Sequence, residues 1–287
     1  MSRDRYINGL YFWSTFDEDN VINAMNYQPL DDDVIVVTYS KSGTTLMQNL
    51  VYLLKNKGEY ADNFLLRDHF PFIEQQGTEC LENLPRPRLV KTHLPYDKLV
   101  FSTEAKYIFV CRNPFDCCCS YYYHAKMLTR GYDFYGDFDE FFQRFMEEKV
   151  DFGDYFDHLN GWIKEKNRTN ILSLTYEEII KDLKSTVKNV GQFLGDQFLE
   201  NANDIHILEK VVEKCSLSSM KAMDAAFHPV PMATGSNFIR KGVKGGYRTT
   251  MNKEQIEELH KKFIEKCSST GATDLWKTET VLSGGIM

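Results

Sequence analysis

Four short stretches carry side chains suited to holding and reacting with an anion. Ser40-Lys41-Ser42-Gly43-Thr44-Thr45 gathers an ammonium, hydroxyls and a glycine in one turn. Lys91 and His93 stand two residues apart. Arg112 precedes Ser120 by eight residues, and Arg240-Lys241-Gly242 sets two cations beside a glycine. A neutral imidazole takes a proton near pH 7, and a neighbouring cation stabilises developing negative charge. Arginine adds a planar fork of donors that matches a phosphate, and glycine lets the backbone approach closely. Each stretch has a bland counterpart: a capped βα loop, a surface His beside a solvated Lys, a surface Arg with a capping Ser, a basic surface turn. For an isolated Lys-Thr-His the bland reading wins.

The elements around these residues favour the chemical reading. Val34, Ile35, Val36 and Val37 form a β-branched run that predicts a strand buried on both faces. After the polar turn, Leu46, Met47, Leu50, Val51 and Leu54 recur at helical spacing. Strand, turn and helix in that order aim unpaired backbone N–H groups and the positive end of the helix dipole at one point. The turn is not a Walker A loop: Lys41 precedes its only Gly, so a Mg²⁺-dependent NTPase is disfavoured. Alternation along the strand 89–95, ended by Pro95, places Lys91 and His93 on one face. A further buried strand, Tyr107 to Cys111, runs into Arg112, and another, Asn170 to Thr175, runs into Tyr176. Residues 55–88 read as loop-rich and 128–142 as a loop. Helical periodicity covers 138–166, with helices expected near 180–195, 204–214 and 253–267. Together these predict one α/β domain over residues 1–287. Its central, mostly parallel sheet is flanked by helices and carries a P-loop-like turn that reads as a phosphate cradle.

Composition fits this reading. The chain has 287 residues, 43% apolar and 26% charged, enough to bury a sizeable core. A net charge of −7 disfavours sequence-blind nucleic-acid binding but allows a local basic pocket. No apolar run suits a signal peptide or a membrane span, so a cytoplasmic protein is expected. Seven Cys lack zinc spacing; reduced thiols are expected, with Cys117-Cys118-Cys119 serving as packing. The 14% aromatic content suits a core or an aromatic-lined pocket.

Five ordered motifs resemble the cytosolic sulfotransferases. The turn 40–45 is similar to that family's P-K-S-G-T-T, which grips the 5′-phosphosulfate of 3′-phosphoadenosine-5′-phosphosulfate (PAPS). Lys91-Thr92-His93-Leu94-Pro95 matches its K-T-H-L-P, and the segment from Cys111 through Ser120 to Tyr123 resembles its C-R-N-P-x-D…S-Y-Y. Tyr176-Glu177-Glu178 resembles its Y-E-[DE], and Phe238-Ile239-Arg240-Lys241-Gly242 its F-x-R-K-G. The resemblance implies PAPS as donor, adenosine 3′,5′-bisphosphate as product, no metal, and a small-molecule hydroxyl acceptor. It implies His93 as general base, with Lys41 and Lys91 offsetting charge on the reacting group. Lys41, Ser42, Gly43, Thr44 and Thr45 would hold the 5′ end, and Arg112, Ser120, Arg240, Lys241 and Gly242 the 3′-phosphate. Leu46, Tyr176, Cys215, Leu217 and Phe238 would complete the nucleotide site. Phe12, Phe16, Phe72, His93 and Tyr123 are the acceptor-site candidates.

Three departures from the family pattern stand out. Leu46 and Leu217 replace the aromatics that sandwich adenine, so the phosphate contacts should carry more of the affinity. The family's dimer motif is degraded where Asn252 and Lys253 replace its Thr-Val centre, leaving monomer and dimer both open. The expected acceptor is a phenol. The aromatic and acidic loop from Tyr132 to Phe138 suggests a catecholamine or phenolic monoamine, and a steroid or alkyl alcohol is the alternative. A small-molecule kinase and a nucleotide-binding module without turnover are the competing classes. A nucleic-acid or membrane partner is not expected.

Overall fold

The computed structural model describes residues 5–13, 16–128, 134–229, 238–240, 242 and 244–277. The β-branched run becomes strand β3 (Val34–Thr38), preceded by a small antiparallel hairpin of β1 (Arg5–Ile7) and β2 (Leu10–Phe12). β4 (Leu89–Thr92), β5 (Lys106–Cys111) and β6 (Ile171–Thr175) join β3 in a parallel sheet of order β4-β3-β5-β6. Val36 pairs with Lys91, Thr38 with Val110 and Cys111 with Thr175, so all four strands finish at the same edge.

Alternation along β3 sorts its side chains into two cores. Ile35 and Val37 face one, with Val90, Tyr107 and Phe109; Val34 and Val36 face the other, with Leu89, Ile108 and Val110. The helices Pro114–Met127, Phe138–Met146, Tyr155–Lys164 and Lys253–Cys267 cover the first face. The helices Thr44–Lys55, Leu183–Leu194, Asp196–Asn203 and Ile205–Lys214 cover the second. This is why β3 and β5 read as unbroken apolar runs. Cys117 and Cys118 are fully buried in the first core, and each described Cys is a free thiol.

Two expectations need correction. The periodic stretch 138–166 is two helices, because Glu148, Phe152 and Gly153 adopt positive φ between them. Residues 55–88 contain the short helices Leu66–His69 and Ile73–Gln76. Asp33, just before β3, is fully buried. Its carboxylate accepts from Arg88 Nε at 2.8 Å and Nη2 at 2.7 Å, and also from the Tyr27 hydroxyl. Asp33 and Arg88 immediately precede β3 and β4, so this pair fastens the strands at the edge opposite the site. Removing one partner of a buried ion pair strands the other charge, so Asp33→Ala should destabilise the fold by about 3–5 kcal/mol in urea unfolding. A loss under about 1 kcal/mol would mean the pair does not hold the strands together.

Candidate active site

The turn after β3 is bent by Lys41 at φ 68° and Gly43 at φ 105°. Lys41 tolerates this left-handed geometry at a cost; Gly43 does not incur one. Gly43 also caps the helix Thr44–Lys55, which receives no side-chain capping bond. The first N–H groups of that helix are therefore aimed at the turn's mouth. A Cβ on Gly43 would lie 2.7 Å from Tyr176 Cδ2, so the ring of Tyr176 closes one side of the turn. Arg112 Nη1 donates to the Lys41 carbonyl at 3.2 Å, and the Arg112 guanidinium lies 4.5 Å from the Tyr176 ring centre.

A cavity of about 630 Å³ opens above this edge of the sheet. The β3 turn contributes Lys41, Gly43, Thr44, Thr45 and Leu46 to its wall; β4 and its exit contribute Lys91 and His93. Arg112 and Ser120 arrive from the exit of β5 and its helix, and Tyr176 from the exit of β6. Cys215 and Leu217 line it from a neighbouring helix pair, and Phe238, Arg240 and Gly242 from the segment that crosses it. Phe16 and Phe72 complete an aromatic corner, edge to face at 5.9 Å.

Other candidates sit elsewhere. Ser42 is fully buried beneath the turn, its hydroxyl 3.8 Å from Cys117 Sγ, and is not in the cavity wall. Phe12 is likewise buried, packing at 5.2 Å on Phe16 and 5.1 Å on Phe152, so it supports the aromatic corner from behind. Tyr123 faces the Arg240 guanidinium at 4.0 Å and so buttresses the basic end. Lys241, Tyr132 and Asp133 lie outside the described residues. Asp137 caps the helix Phe138–Met146 by accepting from Glu140 N and does not line the cavity.

His93 Nδ1 lies 2.6 Å from the Thr38 carbonyl oxygen and 3.0 Å from Thr38 Oγ1. A carbonyl can only accept, so Nδ1 carries the proton and Nε2 is left with the lone pair. Burial, with Lys91 and Lys41 nearby, pushes the imidazole well below its ordinary pKa. It is therefore neutral at pH 7 and ready to take a proton. Burial, then Lys91 and Arg112, pushes Lys41 down to about 7; burial pushes Lys91 down to about 8, opposed by Glu74. Each ammonium sits over an aromatic face, Lys41 at 3.9 Å from the Phe238 ring centre and Lys91 at 3.8 Å from that of Phe72.

Several wall and support residues were given no role by the motifs. Asp116 accepts from Gly245 N at 2.6 Å and Tyr247 N at 3.0 Å, holding the crossing segment down. Asp224 does the same for Phe238 N at 2.9 Å and Ile239 N at 2.7 Å. His124 and His228 line the cavity beside Phe238, with His228 stacked on its ring at 4.2 Å. Among the described residues, the carboxylates close enough to share an ion are Glu148, Asp154 and Asp157, away from the cavity and contacted by Lys262 and Lys266. No described helix is long and apolar enough to cross a membrane.

Comparison with known proteins agrees with this architecture. A family model described as sulfotransferase domain matches residues 31–271. The chain is 31% identical over 277 residues to rabbit (Oryctolagus cuniculus) sulfotransferase 1C2, covering 87% of this chain and 89% of that one. It is 33% identical over 247 residues to 3-beta-hydroxysteroid sulfotransferase of Cavia porcellus, covering 82% and 84%. The structure of mouse sulfotransferase SULT7A1 complexed with PAP superposes with a TM-score of 0.77 at 24% identity, covering 96% of this chain and 99% of that one.

Two outcomes follow from the geometry. Gly43→Ala drives a Cβ into Tyr176 at a left-handed φ, so it should abolish the thermal shift produced by adenosine 3′,5′-bisphosphate; an undiminished shift would show that close approach at this turn is not required. Anion binding favours the charged form of Lys41, near 7 when empty, and Lys91, near 8. Between pH 7 and 9, binding of the bisphosphate should therefore be accompanied by proton uptake at these two amines and should weaken as pH rises. Calorimetry in buffers of different ionisation enthalpy measures this, and zero uptake would mean both amines are already charged.

Proposed function

The chain belongs to the sulfotransferase family, and from that premise we propose that it moves a sulfuryl group from PAPS to the hydroxyl of a small acceptor. The supporting observation is the convergence of Lys41, Lys91, Arg112 and Arg240 on one cavity that also holds an imidazole with a defined basic nitrogen. The residues present suit a nucleotide with phosphates at both ends. The uncapped helix start and the Gly43 turn accommodate one anion, and Arg112, Ser120 and Arg240 another.

When bound, PAPS supplies a sulfuryl group on a bridging oxygen that leaves with the bisphosphate. His93 Nε2 receives the acceptor's hydroxyl proton as that oxygen becomes the nucleophile. The Thr38 carbonyl keeps the other ring nitrogen protonated, so the tautomer is set beforehand. Lys41 and Lys91 hold positive charge where negative charge grows, as side-chain cations do in phosphoryl transfer.

The Phe16–Phe72 corner favours a flat phenolic acceptor. The relative from Cavia porcellus favours a second reading, a steroid or alkyl alcohol. An amine on the acceptor has weaker support: of the described cavity residues only Asp116 is a carboxylate, and it is engaged with Gly245 and Tyr247. A panel of phenols, monoamines, sterols and alkyl alcohols with labelled PAPS tests the acceptor class. A larger thermal shift with ATP than with adenosine 3′,5′-bisphosphate would redirect the assignment to a phosphotransferase.

For His93→Ala, general-base catalysis sets the expected loss in kcat at roughly 10²–10⁴-fold, with bisphosphate affinity within a few-fold of wild type. Full turnover by this variant would remove His93 from the chemistry.

A further inference from the structure

Behind the base lies an acid that no motif names. Glu74 sits on the short helix Ile73–Gln76 and is fully buried. That helix is fastened to β4: Lys91 N donates to the Pro71 carbonyl at 2.9 Å, and Phe72 bridges to Lys91. Glu74 Oε1 accepts from the His93 backbone N–H at 2.6 Å and from Thr92 Oγ1 at 2.7 Å. Thr92 Oγ1 in turn accepts from Leu94 N at 3.1 Å. One carboxyl oxygen thus fixes the backbone on both sides of His93, while the other, Oε2, is buried without a partner.

An enclosed carboxyl with a spare oxygen is costly unless a charge faces it. The charge that acts on it is that of Lys91, on the strand to which its helix is fastened. The other groups facing Lys91 are Lys41 from the β3 turn, His93, His124 from the helix Pro114–Met127, and His228. Lys41 is a cation that opposes a positive Lys91, whereas the three imidazoles are neutral and set no charge against it. Against Glu74 packs the helix Glu18–Met25, whose acids Glu18 and Asp19 are exposed.

Resting on the sulfuryl-transfer reading, we propose that Glu74 is a positioning residue for the reaction: its carboxyl fixes the Thr92–His93 backbone that carries the base, and its charge keeps Lys91 a cation. Burial pushes Glu74 up to about 7, opposed by its bonds to Thr92 and His93 and by Lys91. The carboxyl is thus partly ionised where Lys91 begins to lose its proton, and a negative Glu74 holds that proton on to higher pH.

Two variants separate the two roles. Glu74→Gln keeps an acceptor for His93 N and Thr92 but removes the charge. It should retain kcat at pH 6 to within a few-fold, while the alkaline fall in kcat moves to lower pH. NMR of the Lys91 side-chain amine should show the same downward move without any turnover. Glu74→Ala removes the acceptor as well, leaving His93 N and Thr92 unpaired; kcat should fall about tenfold or more with bisphosphate affinity little changed. An unchanged Lys91 titration in Glu74→Gln overturns the electrostatic role, and full kcat in a folded Glu74→Ala overturns the positioning role. If wild type turns over no acceptor, the functional reading fails instead, and the Lys91 titration still decides the charge coupling.

Discussion

Everything at the site descends from the parallel pairing of β3 with both its neighbours. Val36 opposite Lys91 and Thr38 opposite Val110 fix where each strand stops. Because all strands run the same way, their ends share an edge, and the residues just beyond them are brought together from positions far apart in sequence. Lys41, His93, Arg112 and Tyr176 are each within a few residues of such an end. An antiparallel neighbour would have sent its end to the opposite edge. Ligand sites in open α/β sheets lie at the carboxyl ends of strands for this reason.

The second constraint is electrostatic. Lys41 and Lys91 are enclosed among aromatic faces and face other cations, and both are held below the ordinary lysine range. An empty cavity of this kind stores unfavourable desolvation and repulsion. A multiply charged anion relieves both at once, so the same arrangement that costs stability when empty favours such a ligand when it arrives. The neutral aromatic partners limit the cost without neutralising the charge, as carboxylate partners would.

How much of this was legible in the sequence depended on range. The β3 strand, the polar turn, the helix after it and the long final helix follow from local pattern, because burial on both faces and helical periodicity leave direct marks. The cation positions were also visible, because each lies beside a strand end or a glycine. What escaped was support contributed from a distance. Glu74 looked like one more acid in a loop-rich stretch, yet it bonds across nineteen residues to His93. Asp116 read as part of a motif but reaches Tyr247 across 131 positions. Phe12 and Ser42 were named as site candidates by the resemblance; their side chains are buried outside the cavity wall. The helical period carried through 138–166 because apolar residues persist across a break that only positive φ values reveal.

The departures at Leu46 and Leu217 acquire a physical setting in this fold. Leu217 is 40% exposed and covers Gly242, where an added Cβ would come within 2.9 Å of its side chain. Leu46 packs partly buried against the second core. Neither presents a π-face to a base, whereas the Tyr176 ring is already engaged by the Arg112 guanidinium. On the proposed function, gripping the nucleotide would fall chiefly to its charged ends, through the uncapped helix start at one and the guanidiniums at the other. Charge contacts of that kind fade with ionic strength far more than stacking does, so on this reading the hold on the nucleotide would depend on the segment that Asp116 and Asp224 fasten down and on the strand end that Glu74 braces.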